Sequence, residues 1–374
     1  MQPLNGLLVI SLEQAVAGPM ASQRLADAGA RVIKIERIGG ETARHYDDVV
    51  KGTSAYFASL NRGKESAELN IKEPSDRDVL ERMVATADVF IRNIAPGAAA
   101  RLGLDAKELT KKYPRLIVVD IFGYDQNSSY AKRLAYDMLI QAESGLCDVT
   151  GTPEEPVKVG VSAADLSTGI AAYSAVLEAL LERGISGKGK AIEIRMFDVM
   201  AELMTVPLLH YDYAGKIPKR VGLAHTVIAP YGKFSCKDGD IILVCQQHSE
   251  WLRFCEGVLQ MPDLPQDKRF ISNADRVANL EPLFEIIGKV CATLTRAEIT
   301  KRLDAWKLPW ANVSTLPDLS AHPALRRIDI SLEGDQTATL PASPVRDDIK
   351  SRRVPGTGEH TEVLRKEFGS SASS

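Results

Sequence analysis

Along its first half the chain alternates short apolar runs with longer stretches in which apolar residues return every three or four positions. Leu7-Leu8-Val9-Ile10 precedes residues 20–28, which have helical spacing, and Ala30-Arg31-Val32-Ile33-Lys34-Ile35 follows. The pattern predicts strand, helix, strand, with Gly29 ending the helix. It recurs: residues 77–87 read as a helix, Asp88-Val89-Phe90-Ile91 as a strand, 104–112 as a helix and Leu116-Ile117-Val118-Val119-Asp120 as a strand. Such alternation predicts a parallel sheet with helices on its faces.

Residues 166–181 are mostly apolar, rich in alanine and leucine and free of proline, so a buried helix is expected there, with Gly184, Gly187 and Gly189 punctuating its exit. Ile192-Glu193-Ile194 reads as a further strand and residues 197–213 as a further helix. From about Gly215 the texture changes. Tyr231-Gly232-Lys233-Phe234 and Ile241-Ile242-Leu243-Val244 flank Asp238-Gly239, a hairpin signal, and helical segments follow from Glu250, Leu280 and Arg296. A smaller α+β domain over residues 216–300 is therefore expected. Lys350-Ser351-Arg352-Arg353 reads as a solvated turn, and the serine-rich segment after Gly369 as a frayed end.

The length of 374 residues accommodates two domains, and 45% hydrophobic with 25% charged residues is the composition of a globular protein. Lys+Arg 46 against Asp+Glu 49 leaves a net charge of -3, so no global basic field exists and nucleic acid is not an expected partner. No positively charged segment precedes an apolar run at Met1 to Leu7, and no stretch of about 18 apolar residues is visible, so neither secretion nor membrane spanning is expected. The five cysteines, Cys147, Cys236, Cys245, Cys255 and Cys291, form no C-x-x-C pair; free thiols in a cytoplasm are expected, with no metal site.

The first strand-helix turn, Gln14-Ala15-Val16-Ala17-Gly18-Pro19, lacks the G-x-G-x-x-G spacing that brings backbone against a dinucleotide pyrophosphate. The chain also has no G-x-x-x-x-G-K-[ST] cradle, so any acyl chemistry should begin from an already activated acyl group.

Several separated motifs resemble those of the class III CoA-transferase family, also called the carnitine dehydratase and bile-acid transferase family. They are Ala17-Gly18-Pro19 with Leu25-Ala26-Asp27-Ala28-Gly29-Ala30 and Val32-Ile33-Lys34-Ile35-Glu36; Leu60-Asn61-Arg62-Gly63-Lys64; Asn93-Ile94-Ala95-Pro96-Gly97 leading to Arg101-Leu102-Gly103; and Pro355-Gly356-Thr357-Gly358-Glu359-His360-Thr361. Their order covers nearly the whole chain. The resemblance implies a large Rossmann-like CoA-binding domain of residues 1–215 and 301–374, to which the chain returns after the smaller domain, and an intertwined homodimer.

The family carries an aspartate that opens the long central helix after a Gly-x-x-x-x-Asp stretch, and Gly160-Val161-Ser162-Ala163-Ala164-Asp165 matches it, which makes Asp165 the candidate nucleophile. With an ordinary carboxyl pKa of about 3.9 it would be ionised at neutral pH and need no neighbouring base. The plain alternative is an N-cap, since Asp commonly satisfies the orphan N–H groups at a helix start. The family mechanism implies a mixed anhydride, release and return of CoA thiolate to give an aspartyl-CoA thioester, and attack by an acceptor carboxylate.

By the same resemblance, Val16 and Ala17 match the oxyanion-binding turn, and Arg37, Asn93, Ile94 and Arg101 fall near the nucleotide, where arginine suits phosphate through its planar donor fork. Tyr56, Tyr136, Asp137 and His225 are candidate substrate contacts. Tyr136-Asp137 stands where the racemase branch carries His-Asp. Tyrosine is a poor base at neutral pH, so transferase is favoured over α-methylacyl-CoA racemase, and Asp137 is a candidate to orient substrate or a backbone amide. The glycine-run lid of the formyl-CoA:oxalate branch has no counterpart between Gly215 and Gly232.

The expected activity is therefore movement of CoA between an acyl-CoA and a small carboxylic acid, with succinyl-CoA and a C4 or C5 dicarboxylate as the candidate pair. No cofactor is expected beyond CoA as co-substrate. The alternatives are an acyl-CoA racemase or isomerase and a non-catalytic CoA-binding protein.

Overall fold

The computed structural model describes residues 2–95, 97–349 and 352–369; Pro96 of the Asn93–Gly97 motif, half of the basic group at 350–353 and the serine-rich end lie outside them. Six strands form one parallel sheet: β1 (Leu8–Leu12), β2 (Arg31–Glu36), β3 (Lys64–Glu68), β4 (Val89–Arg92), β5 (Ile117–Phe122) and β6 (Ala191–Arg195), in the order β3-β2-β1-β4-β5-β6. Successive side chains leave a strand on opposite faces. Val9, Val32, Val89 and Ile91, with Ile117 and Val119, join one core with the helices Ala17–Asp27 and Ala163–Ser186. Ile10, Ile33, Phe90 and Val118 point the other way into a second core with the helices Pro74–Thr86 and Thr361–Phe368. Strands buried on both faces are why these runs are apolar throughout.

β3 is the exception. Its sequence, Lys64-Glu65-Ser66-Ala67-Glu68, has no strand pattern, yet Lys64 and Ser66 are buried because they face the carboxylates Glu13 and Glu36. The helix expected over 197–213 is two helices, Met196–Leu203 and Thr205–Ala214. Thr205 Oγ1 donates to the Glu202 carbonyl at 2.6 Å, and Pro207 has no N–H to continue the ladder.

The 24-residue helix Ala163–Ser186 is, by length and composition, long and apolar enough to cross a bilayer, which corrects the expectation that no such stretch exists. Here one stripe of it, Ala164, Thr168, Gly169, Ala172, Val176 and Ala179, is buried in the protein.

Contacts divide the chain into two units: Met1–Leu146, Val159–Val206 and Arg326–Ser374, and Cys147–Lys158 with Pro207–Leu325. This differs from the expected limits of 216–300, because β9 (Trp310–Asn312) pairs with β8 (Gly239–Val244), itself antiparallel to β7 (Tyr231–Cys236). The second unit's core gathers Trp251, Phe254, Phe270 and Ile287 with the buried thiols Cys245, Cys255 and Cys291; all five cysteines are free. In the first unit, β10 (Arg327–Ser331) and β11 (Thr337–Pro341) form an antiparallel hairpin whose Ile328 and Ile330 face inward.

Candidate active site

β1 lies between β2 and β4, and chain order runs away from it in both directions, so its C-terminal end is the switch point where parallel α/β sheets leave a crevice. The chain leaves β1 through a tight turn in which Ala15 takes φ 61°, a left-handed conformation uncommon for a residue with a Cβ. Two side chains hold it. The Asn93 amide, just past β4, accepts the Gln14 N–H at 2.8 Å and donates to the Gln14 carbonyl at 2.7 Å. The Glu41 carboxylate accepts the Ala15 N–H at 2.7 Å and the Ala43 N–H at 3.2 Å. Gly18 is required by close approach, since a Cβ there would lie 2.9 Å from Glu13 Cβ and 3.2 Å from Asn93 Cγ.

Beneath the turn sits a buried group of four charges. Lys34 Nζ pairs with Glu41 at 2.9 Å and stands 3.6 Å from Glu13, which is also bonded to Lys64 Nζ at 2.8 Å. Burial works against the charges of Glu13 and Lys34, but the two lysines keep Glu13 below the usual carboxylate range, and the three glutamates around Lys34 hold it above the usual amine value. Lys64, whose desolvation outweighs its pull from Glu13, is pushed down to about 8. It remains fully bonded, to Glu13, Asn61 Oδ1 at 2.9 Å and the Pro19 carbonyl at 3.1 Å.

Asp165 lies in the first turn of the helix Ala163–Ser186. One turn further on, Gly169 meets the helix Ala17–Asp27 so closely that a Cβ would stand 2.7 Å from the Ala17 carbonyl and 2.5 Å from Met20 Cβ. Residues four apart share a helix face, so this contact brings the Asp165 turn beside the Ala15–Ala17 turn.

Asp165 is not the N-cap. That position is Ser162, and the capping acceptor is Asp137 from the helix Asp137–Glu143: its Oδ1 takes the Ala164 N–H at 2.8 Å and the Asp165 N–H at 3.3 Å, while Gln141 Nε2 donates to its Oδ2 at 2.7 Å. The Asp165 carboxyl is free of capping duty. Burial first, and the Asp137 charge second, raise it from 3.8 to about 7, so the ordinary carboxylate expected from sequence is replaced by one about half protonated at neutral pH.

Tyrosines complete the surroundings. Tyr56 Oη is 3.2 Å from Ser162 Oγ, and its ring meets Tyr46 edge-on at 5.6 Å. Burial, then the charges of Glu41 and Asp165, lift the Tyr46 phenol above its usual range, and Tyr136 is also close enough to contribute. Tyr136 itself is exposed.

The N–H groups of Val16 and Ala17, both buried, have no acceptor among the described residues. Arg37, past the end of β2, is exposed and spends only Nε, on the Gly40 carbonyl at 2.9 Å. Arg101 is exposed at the end of the short helix Ala98–Arg101, and neither arginine forms an ion pair among the described residues. Ile94 is half-buried beside Asn93, whose amide is committed to the Gln14 backbone. His225 belongs to the second unit, where it stacks on Tyr231 at 5.3 Å and lines a cavity of about 1170 Å³ with Arg220 and Phe284. Sequence reading missed Glu13, Lys34, Glu41, Tyr46 and Lys64. The available signal was Lys34, a charge set between Ile33 and Ile35 in the middle of a strand run.

The acetyl-CoA:oxalate CoA-transferase of Acetobacter aceti is 35% identical over 379 residues, covering 98% of this chain and 96% of its own. The succinyl-CoA:glutarate CoA-transferase of Mus musculus is 31% identical over 378 residues, covering 98% and 86%. The crystal structure of a CAIB/BAIF family protein from Brucella suis superposes with a TM-score of 0.83 at 34% identity, over 98% of this chain and 99% of that one. The sequence description of CoA-transferase family III matches residues 4–361. With the family description matching residues 4–361 and relatives along almost its entire length, the chain belongs to CoA-transferase family III.

Proposed function

We propose that this transferase moves CoA from an acyl-CoA thioester to a small dicarboxylate through covalent intermediates on Asp165. The observation that carries the reading is the Asp165 carboxyl itself: half-buried, excluded from capping and raised to about 7, it is more basic and more nucleophilic than a solvated carboxylate.

In the first step an Asp165 Oδ attacks the thioester carbonyl carbon. The negative charge passes to the carbonyl oxygen, for which the unengaged Val16 and Ala17 N–H groups of the turn are the donors, and the C–S bond breaks to release CoA thiolate. The thiolate then attacks the Asp165 carbonyl of the mixed anhydride, freeing the donor acid and leaving an aspartyl-CoA thioester. The acceptor carboxylate expels the thiolate in turn, and its return to the acceptor carbonyl yields the new acyl-CoA and regenerates Asp165. Each step exchanges one acyl bond for another, so no ATP is consumed. Arg37 and Arg101 supply charge for the CoA phosphates.

For substrates we favour succinyl-CoA with a C4 or C5 dicarboxylate. The mouse relative's name pairs succinyl-CoA with glutarate, and this chain has no glycine run between Gly215 and Gly232. The enzyme is also proposed to be a homodimer. Leu181 and Ile185 are 73% and 92% exposed on the long helix, and no residue of the apolar helix Thr205–Ala214 is buried, surfaces that a second copy would cover.

Incubation with succinyl-CoA and no acceptor, followed by hydroxylamine or borohydride and peptide mass spectrometry, should mark Asp165. A panel of acyl-CoA donors and carboxylate acceptors should give the highest kcat/KM for the dicarboxylates. An Asp165→Ala protein with parental turnover would overturn the mechanism.

A further inference from the structure

The Ala15–Ala17 turn has to solve a conflict. Its N–H groups can stabilise an oxyanion only if the backbone is held in one orientation before the charge forms. Ala15, however, stands at φ 61°, where its Cβ disfavours the conformation, so an unsupported turn would relax. Gln14 is held by Asn93, but the residue that carries the strain is Ala15, and its own N–H is taken by Glu41 at 2.7 Å. A carboxylate is the strongest available acceptor for that bond. It is also a negative charge beside the place where another negative charge must develop. Lys34 answers this, with its Nζ 2.9 Å from Glu41 and both side chains almost wholly buried, 0% and 3% exposed. The remaining pair, Glu13 with Lys64, balances itself at 2.8 Å.

We propose that Glu41, neutralised by Lys34, is a positioning residue for the transfer reaction: it fixes Ala15 in the left-handed conformation and thereby aims the Val16 and Ala17 N–H groups, without touching substrate. This rests on the proposed role of that turn in the Asp165 mechanism.

Replacing the pair as a unit, Lys34→Met with Glu41→Leu, avoids stranding a buried charge, and buried pairs exchanged for apolar residues of similar volume commonly leave a folded protein. The expected result is a protein melting close to the parent, with kcat for CoA transfer reduced about 10- to 100-fold, less than complete loss of an oxyanion donor, and KM for acyl-CoA within about threefold. Adding Ala15→Gly, which takes positive φ without strain, should recover at least about threefold of the lost kcat.

A purely structural role would not respond to that third change. Parental kcat in the folded double variant, or no recovery with Ala15→Gly, overturns the proposal. Asp165→Ala assayed alongside separates the two readings. If it is inactive while the double variant is fully active, the brace alone fails; if Asp165→Ala keeps parental turnover, the mechanism beneath it fails.

Discussion

Replacing Asp165 with asparagine should make the protein more stable while abolishing transfer. In the folded chain this carboxyl is held at about 7 instead of its ordinary 3.8, by burial and by Asp137. Between those two pH values the folded state binds more protons than the unfolded one, so stability falls as pH rises, and above 7 the full penalty of a buried charge is present. At about 1.36 kcal/mol per pH unit the penalty reaches about 4 kcal/mol at pH 8 and shrinks to about 1 kcal/mol at pH 4.5. Asparagine has nearly the same shape, carries no charge, and can donate toward Asp137. Allowing for relaxation around the ionised parent, Asp165→Asn should gain about 2–4 kcal/mol at pH 8. With an unfolding entropy of about 2.1 cal/mol/K per residue, that is a rise in Tm of roughly 3–5 °C. Calorimetry or urea titration of both proteins at pH 8 and pH 4.5 reads it directly. An asparagine variant less stable than the parent at pH 8, or a difference independent of pH, would refute the reasoning.

Asp137→Asn keeps an oxygen to accept the Ala164 N–H but removes the second cause of the raised Asp165 carboxyl, so the acid limb of the kcat/KM profile should move to lower pH while stability changes by less than about 1 kcal/mol. Gly169→Ala inserts a methyl 2.7 Å from the Ala17 carbonyl; we expect a loss of about 1–3 kcal/mol in urea unfolding and a fall in kcat larger than stability explains, because the Asp165 turn is pushed from its neighbour. Arg101→Ala, altering an exposed side chain without an ion pair among the described residues, should leave Tm unchanged and weaken CoA binding about tenfold in calorimetry.

Much of this architecture was legible in local pattern. Doubly buried strands must be apolar on both faces, so Val9-Ile10, Val32-Ile33, Val89-Phe90-Ile91 and Ile117-Val118-Val119 announce a parallel sheet, and the ordered motifs from Ala17 to Thr361 indicate the family. Asp165 could be singled out because a single motif carries it. Short-range signals also showed the Asp238-Gly239 hairpin, whose pairing runs from Tyr231 against Val244 to Cys236 against Gly239. The alternating Arg327–Ser331 strand was equally readable in principle, since Ile328 and Ile330 repeat with period two.

What only the tertiary structure decided is where charges meet. β3 is a strand because Lys64 and Ser66 find Glu13 and Glu36 across the sheet, partners 51 and 30 residues away, and no propensity within these five residues, four of them polar, contains that information. Asp165 was open to an N-cap reading until folding placed Asp137 over the helix start, 27 residues upstream of the Ala164 N–H it accepts, which both released the Asp165 carboxyl and set a like charge beside it. The strain at Ala15 and its support by Glu41 and Asn93 arise in the same way, from residues 26 and 79 positions apart from their partners. Periodicity is a property of neighbours along the chain and survives in the sequence; desolvation and Coulomb energy depend on distances that exist only after the chain has closed on itself.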